Sequence, residues 1–304
     1  MEILREKAEK DGPLCVGLDT SPLYIPKPLI KILGGEAEAV LEYNKEIVRR
    51  LASDGSASCC KIQIAYYEAM GLEGLRVYAE TIRAVKDAGL TVISDVKRGD
   101  IADTARAYAR AHFSGDFESD IITVNPYMGF DTLTPFTDFC KPPEGKGIFV
   151  LLRTSNPGMN DIENQTLQDG SLVLEKVGGE LEKIRSSFQS LYPECVCPPV
   201  GAVVGCTEEA DAKKLRDEHP EIFFLIPGYG AQGGAAKIAA TLLLKAGGVV
   251  NSSRGILCAW QKDAELSEKM ESGTLCLKEI ADSAAKAALF AKNDLLSAKA
   301  ALEK

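Results

Sequence analysis

Eight short apolar segments, each followed by a stretch of helical composition, run through this chain from near its start to near its end. They read as strands over residues 13–19, 60–65, 91–97, 120–126, 147–153, 200–204, 222–227 and 248–251. Helical stretches fall between them at about 35–53, 71–89, 131–140, 207–218 and 234–246, with another running on from Ile101. Regular strand–helix alternation without a composition break predicts an α/β fold, a single (β/α)8 TIM barrel spanning residues 1–304. To the basic alternation the chain adds a short N-terminal helix, an insertion after strand five and a C-terminal helix. The insertion spans 156–199 and contains a helix over about 171–190; the C-terminal helix lies within 263–303. A doubly wound sheet is the structural rival, but the first strand does not open into G-x-G-x-x-G.

A barrel of this kind builds its sites at the C-terminal ends of its strands. Here those ends carry Asp19, Lys61, Asp95 with Lys97, Asn125, Thr154 with Ser155, Gln232 and Arg254. In Asp95-Val96-Lys97-Arg98-Gly99-Asp100 two carboxylates bracket a lysine, and Asp95 and Lys97, two apart, leave the same strand face. An ammonium held between carboxylates stays protonated and in place, which suits a proton donor. A plainer reading makes Asp100 the N-cap of the next helix, with Asp103 favoured by its dipole. The polar residues gathered at the other strand ends outweigh it. The glycine-rich turn 227–234 and Asn251-Ser252-Ser253-Arg254-Gly255 follow strands seven and eight. Mobile-dihedral glycines free backbone N–H groups, and a guanidinium grips phosphate oxygens, so the two turns predict an anion site. Gln63 shares a strand face with Lys61 and points either into the site or away from it. Asn44 and Lys45 read as polar lining or solvated surface, Tyr66, Tyr67 and Trp260 as packing, and His112 and His219 as surface or helix residues.

Charge and cysteine usage close off other classes. A net charge of −9 argues against a nucleic-acid surface. Nine cysteines without C-x-x-C spacing, and only two histidines, leave no zinc-binding pattern and suit a reducing, cytoplasmic setting. The N-terminus is charged and lacks a signal-peptide pattern, and no apolar run approaches the ~18 residues of a membrane span.

The motifs together resemble the orotidine 5′-phosphate decarboxylase family. Asp95 to Asp100, with Ile101 and Thr104, is similar to its D-x-K-x-x-D signature. Thr154 to Gly158, 227–232 and Val250 to Gly255 resemble its remaining motifs in order, over a core of about 14–257. The insertion resembles the family's longer branch. The resemblance implies that Lys61, Asp95, Lys97 and Asp100 form an alternating charged array around C6 of the pyrimidine. Within it Lys97 would protonate C6 after CO2 leaves, giving UMP. Asp19 would bind a ribose hydroxyl, and Ser155, helped by Thr154, the pyrimidine edge. Gln232 would bridge pyrimidine and phosphate, and Arg254, with Pro227, Gly228 and Ser253 in the two turns, would hold the phosphate. It also implies a homodimer in which Asp100, Ile101 and Thr104 enter the partner's site, and no cofactor or metal. Whether Asp95 strains the substrate or positions Lys97 stays open. The rival readings are a magnesium-dependent sugar-phosphate relative, a Schiff-base aldolase and a non-catalytic nucleotide sensor. Carboxylates beside a lysine raise its pKa, which disfavours the aldolase.

Overall fold

Successive side chains along a strand leave opposite faces, and in this protein both faces are buried. The computed structural model describes residues 1–229 and 235–303. The strands are β1 (Leu14–Gly17), β2 (Cys59–Gln63), β3 (Thr91–Arg98), β4 (Ile121–Val124), β5 (Gly147–Arg153), β6 (Val200–Val204), β7 (Phe224–Ile226) and β8 (Gly248–Ser252). They pair in parallel in chain order and close into a barrel, with Leu14 of β1 opposite Val250 of β8. The fold is therefore the expected (β/α)8 barrel.

One parity of each strand faces the surrounding helices: Leu14, Val16, Cys60, Ile62, Val92 and Ile122 join the large outer core. The other parity fills the barrel. Its early positions (Cys15, Cys59, Ile93, Ile121, Phe149, Val249) form a second apolar core, closed by Met1, Leu4 and Ala8 at the N-terminal helix Glu2–Asp11. Its late positions are polar, among them Lys61, Gln63, Asp95, Thr123, Arg153 and Asn251. The site is thus the polar end of the barrel interior.

Four sequence expectations shift. The second strand ends at Gln63, because Ile64 already starts the short helix Ile64–Glu68, which Gln63 caps. The helix expected near 131–140 is one turn, Thr134–Thr137, between two 3-10 turns, with a proline in its first turn. Within the insertion, Val173–Phe188 packs on β5 and β6 as the helix after strand five, so the excursion supplies a barrel helix. Likewise Leu277–Leu302 lies against β1 and against the helices Glu36–Asp54 and Ala235–Leu242, filling the eighth helix position. Buried Ala281, Ala284, Ala285, Ala288 and Ala291 keep that approach close. No described helix is long and apolar enough to cross a membrane.

Candidate active site

Four charges alternate across the mouth of the barrel. The Lys61 ammonium lies 3.0 Å from both Asp19 Oδ1 and Asp95 Oδ2, and the Lys97 ammonium 2.6 Å from Asp95 Oδ1. Lys61 and Asp95 are buried, whereas the Lys97 side chain keeps 46% of its surface exposed. Burial works against the Lys61 charge, yet Asp95 and Asp19 overcome it and raise its pKa above the usual lysine range. Burial also opposes ionisation of Asp95, but Lys61 and Lys97 bring its carboxyl down to about 2. The outcome is a fixed carboxylate between two ammonium groups, of which that of Lys97 reaches open space.

The surrounding hydrogen bonds over-determine this arrangement. Thr123 Oγ1 donates to Asp95 Oδ1 (2.8 Å) while accepting from Val96 N (3.0 Å) and Lys97 N (2.9 Å). It thereby grips the point where the β3–β4 register shifts and Lys97 takes a φ of +44°. Gln63 Nε2 donates to Asp95 Oδ2 (2.9 Å), so Gln63 points into the site. On the far side Cys15 Sγ donates to Asn251 Oδ1, Asn251 Nδ2 to Ser253 Oγ and Ser253 Oγ to Asp19 Oδ2 (2.7 Å). Only glycine fits at position 17, where a Cβ would stand 2.0 Å from Ser253 Oγ. Asn44, expected as lining or surface, is fully buried instead. It accepts from Thr20 Oγ1 (2.6 Å) and donates to Tyr67 OH (2.9 Å), which donates to Leu18 O (3.0 Å), so both neighbours of Asp19 are tied down.

Lys61, Asp95, Lys97, Ser155, Pro227 and Asn251 face a common cavity of about 220 Å³. Thr154 lies on its wall too, but its hydroxyl donates to Glu163 (2.6 Å). A neighbouring hollow of about 470 Å³ is bounded by Tyr229, Ser253, Arg254 and Lys262, where the anion site was expected. Gly228 takes a φ of +91° at the entry to that turn. Gln232 lies outside the described residues. Asn125 turns aside, accepting from Tyr127 N (3.0 Å) in a local turn.

Asp100, Ile101 and Thr104 are not brought to the array within one chain. Asp100 accepts from Ile101 N (2.8 Å), and among the described residues it makes no ion pair with Lys97. Ile101, not Asp100, is the N-cap of helix Ala102–Phe113, and it and Thr104 are exposed. Sequence reasoning missed Thr123, Arg153 and Glu163. Thr123 was findable, since it is the inward parity at the end of β4; Glu163 carried no local signal.

Comparison with known proteins gives a consistent result. The family model described as Orotidine 5′-phosphate decarboxylase / HUMPS family matches residues 12–268. An orotidine 5′-phosphate decarboxylase of Clostridium botulinum is 48% identical over 269 residues, covering 88% of this chain and 92% of that one. The Clostridium tetani enzyme of the same description is 49% identical over 260 residues, covering 85% and 88%. The solved structure of Leishmania donovani OMP decarboxylase has a TM-score of 0.65 at 30% identity, covering 93% of this chain and 99% of that one.

Proposed function

The chain belongs to the orotidine 5′-phosphate decarboxylase / HUMPS family, and from that membership we propose that it converts orotidine 5′-monophosphate to UMP and CO2 without a cofactor. The carrying observation is the alternation Asp19, Lys61, Asp95, Lys97, whose last three members line one cavity. Loss of CO2 breaks the bond between C6 and its carboxylate and leaves the electron pair on C6. No conjugated sink takes up that pair, so the barrier is set by how well the surroundings stabilise a localised carbanion. A cationic Lys97 beside C6 offsets the developing charge; its Nζ proton then passes to C6, and solvent restores the ammonium. Asp95, itself held by Lys61, keeps that ammonium aimed.

The remaining roles follow the same placement. Asp19 takes a ribose hydroxyl and Ser155 the pyrimidine edge, with Thr154, its hydroxyl donated to Glu163, supporting Ser155 from behind. Arg254, Ser253, Pro227, Gly228 and Gln232 serve the phosphate end. Binding energy gathered at the phosphate, remote from the reacting carbon, then helps to organise the site for the chemical step. Asp100, Ile101 and Thr104 complete the partner's array in a homodimer. Three exposed apolar residues on the loops after β3 and β4, Ile101, Tyr127 and Met128, support such an interface on the mouth side.

The test is loss of orotidine-monophosphate ultraviolet absorbance on adding purified protein, with a chelator present. Chelator-resistant conversion to UMP is expected, with Lys97→Ala lowering kcat roughly a thousandfold or more. Turnover that needs added magnesium, or a Lys97→Ala variant of unchanged rate, would overturn the assignment.

A further inference from the structure

The insertion reaches back into the site through one carboxylate. Glu163 follows the short helix Met159–Ile162, and its side chain is only 17% exposed. Both of its oxygens accept from Thr154 N (3.2 and 3.1 Å), and Oε1 also accepts from Thr154 Oγ1 (2.6 Å). Thr154 is the first residue beyond β5, so this carboxylate caps the end of that strand. The Glu163 carbonyl accepts from Leu174 N (3.0 Å), which anchors it to the start of helix Val173–Phe188.

A buried guanidinium supports the same point. Arg153, at the end of β5, lies 3.7 Å from Glu163 Oε2 and donates to Asn164 Oδ1 (2.9 Å). From its other side it donates to Asp211 Oδ2 at 2.7 and 3.2 Å. Ser155, next in the chain, sits where Gly205 leaves room; a Cβ there would come 3.1 Å from Ser155 Cβ and 3.2 Å from Pro227. Helix, carboxylate, Thr154 and Ser155 therefore form one rigid connection ending at the cavity that Lys97 lines.

We propose that Glu163 is a positioning residue for base recognition: through Thr154 it sets the turn that presents Ser155 to the pyrimidine edge. The inference rests on the nucleotide reading above. It assigns the insertion a part in reading the base, while ribose and phosphate are held by β1, β7 and β8. A carboxylate has only acceptor oxygens, so both Thr154 protons must point at it. In Glu163→Gln one oxygen becomes a donor, leaving an unmatched contact at Thr154 and removing the charge that faces Arg153.

Titration calorimetry with two probes separates positioning from general structural damage. UMP carries the base; ribose 5-phosphate carries only the sugar and phosphate. Glu163→Gln is expected to weaken UMP binding about tenfold while ribose 5-phosphate stays within about twofold of wild type. Thr154→Val, which removes a single bond, should show a smaller loss in the same direction and serves if Glu163→Gln does not fold. Equal losses for both probes would make Glu163 a merely structural residue and overturn the proposal, as would unchanged UMP binding. Wild-type protein that binds ribose 5-phosphate but not UMP would instead overturn the nucleotide reading beneath it.

Discussion

Lys97 holds its ammonium beside Asp95 on a backbone that L-residues seldom adopt, at φ +44°. A non-glycine residue there costs about 1–2 kcal/mol. Three bonds to the Thr123 hydroxyl, together with the register shift beside it, hold the strand in that shape. The next residue is secured separately. Arg98 donates to His112 Nε2 (3.2 Å), pairs with Glu68 (3.3 Å) and lies over the Tyr108 ring. His112 lies on helix Ala102–Phe113, as one of the two expectations has it, but is buried, and its ring stacks on Phe117. Burial, with Arg98 beside it, lowers its pKa to about 4. An unfolded imidazole titrates near 6.5, so between those values the unfolded chain binds the extra proton. The stability that neutral His112 contributes is therefore complete above about pH 6.5 and lost as pH falls towards 4. Between pH 7 and 4.5 the loss amounts to about 2 kcal/mol. Asp95, with its depressed pKa, contributes above about pH 4 and begins to lose that contribution only below it. Chemical denaturation at the two pH values should thus show a steeper loss for wild type than for His112→Gln. Parallel losses would refute the account.

At the level of elements, the C-terminal helix does more than close the ring. Asp294, on Leu277–Leu302, accepts from Tyr229 OH at 2.5 Å, and Tyr229 stands at the start of the glycine-rich turn beside Arg254. A helix on the outside of the barrel thereby secures the base of the turn proposed to hold phosphate. Removing this bond in Asp294→Ala should weaken UMP about fivefold. Uridine, which lacks the phosphate, should bind as it does to wild type; an equal loss for both ligands would place the effect elsewhere. The helix itself was readable from its composition, rich in Ala, Lys, Leu and Glu. Its bond to Tyr229 was not, because an Asp on a solvated helix face looks the same whether or not a tyrosine reaches it. The insertion teaches the same lesson: its helix was found, but not that Glu163 returns to Thr154, since that contact joins residues whose relation depends on a turn with no recognisable motif.

For the whole molecule the remaining member of the expected array is Asp100. Within one chain the array ends at Lys97, with Asp100 turned to its own Ile101 N–H. If Asp100 serves a partner's Lys97, the Lys97→Ala and Asp100→Ala variants should each be nearly inactive alone. Mixed and allowed to exchange subunits, half the dimers become heterodimers with one intact site, restoring roughly a quarter of wild-type activity. No recovery after demonstrated exchange would mean that each chain builds its site alone. By itself the sequence determined the barrel, through eight apolar strands alternating with helices. It also determined which residues stand at the strand ends, because strand periodicity and order place Asp19, Lys61, Asp95, Lys97 and Arg254 there. Those are properties of local spacing, written in neighbouring positions. Tertiary structure alone decided what each charge touches: Lys61 between Asp19 and Asp95, Thr123 beneath Asp95, Asn44 behind Asp19, Glu163 on Thr154. The bond from Ser253 to Asp19 joins positions 234 residues apart and arises only when barrel closure brings β8 beside β1.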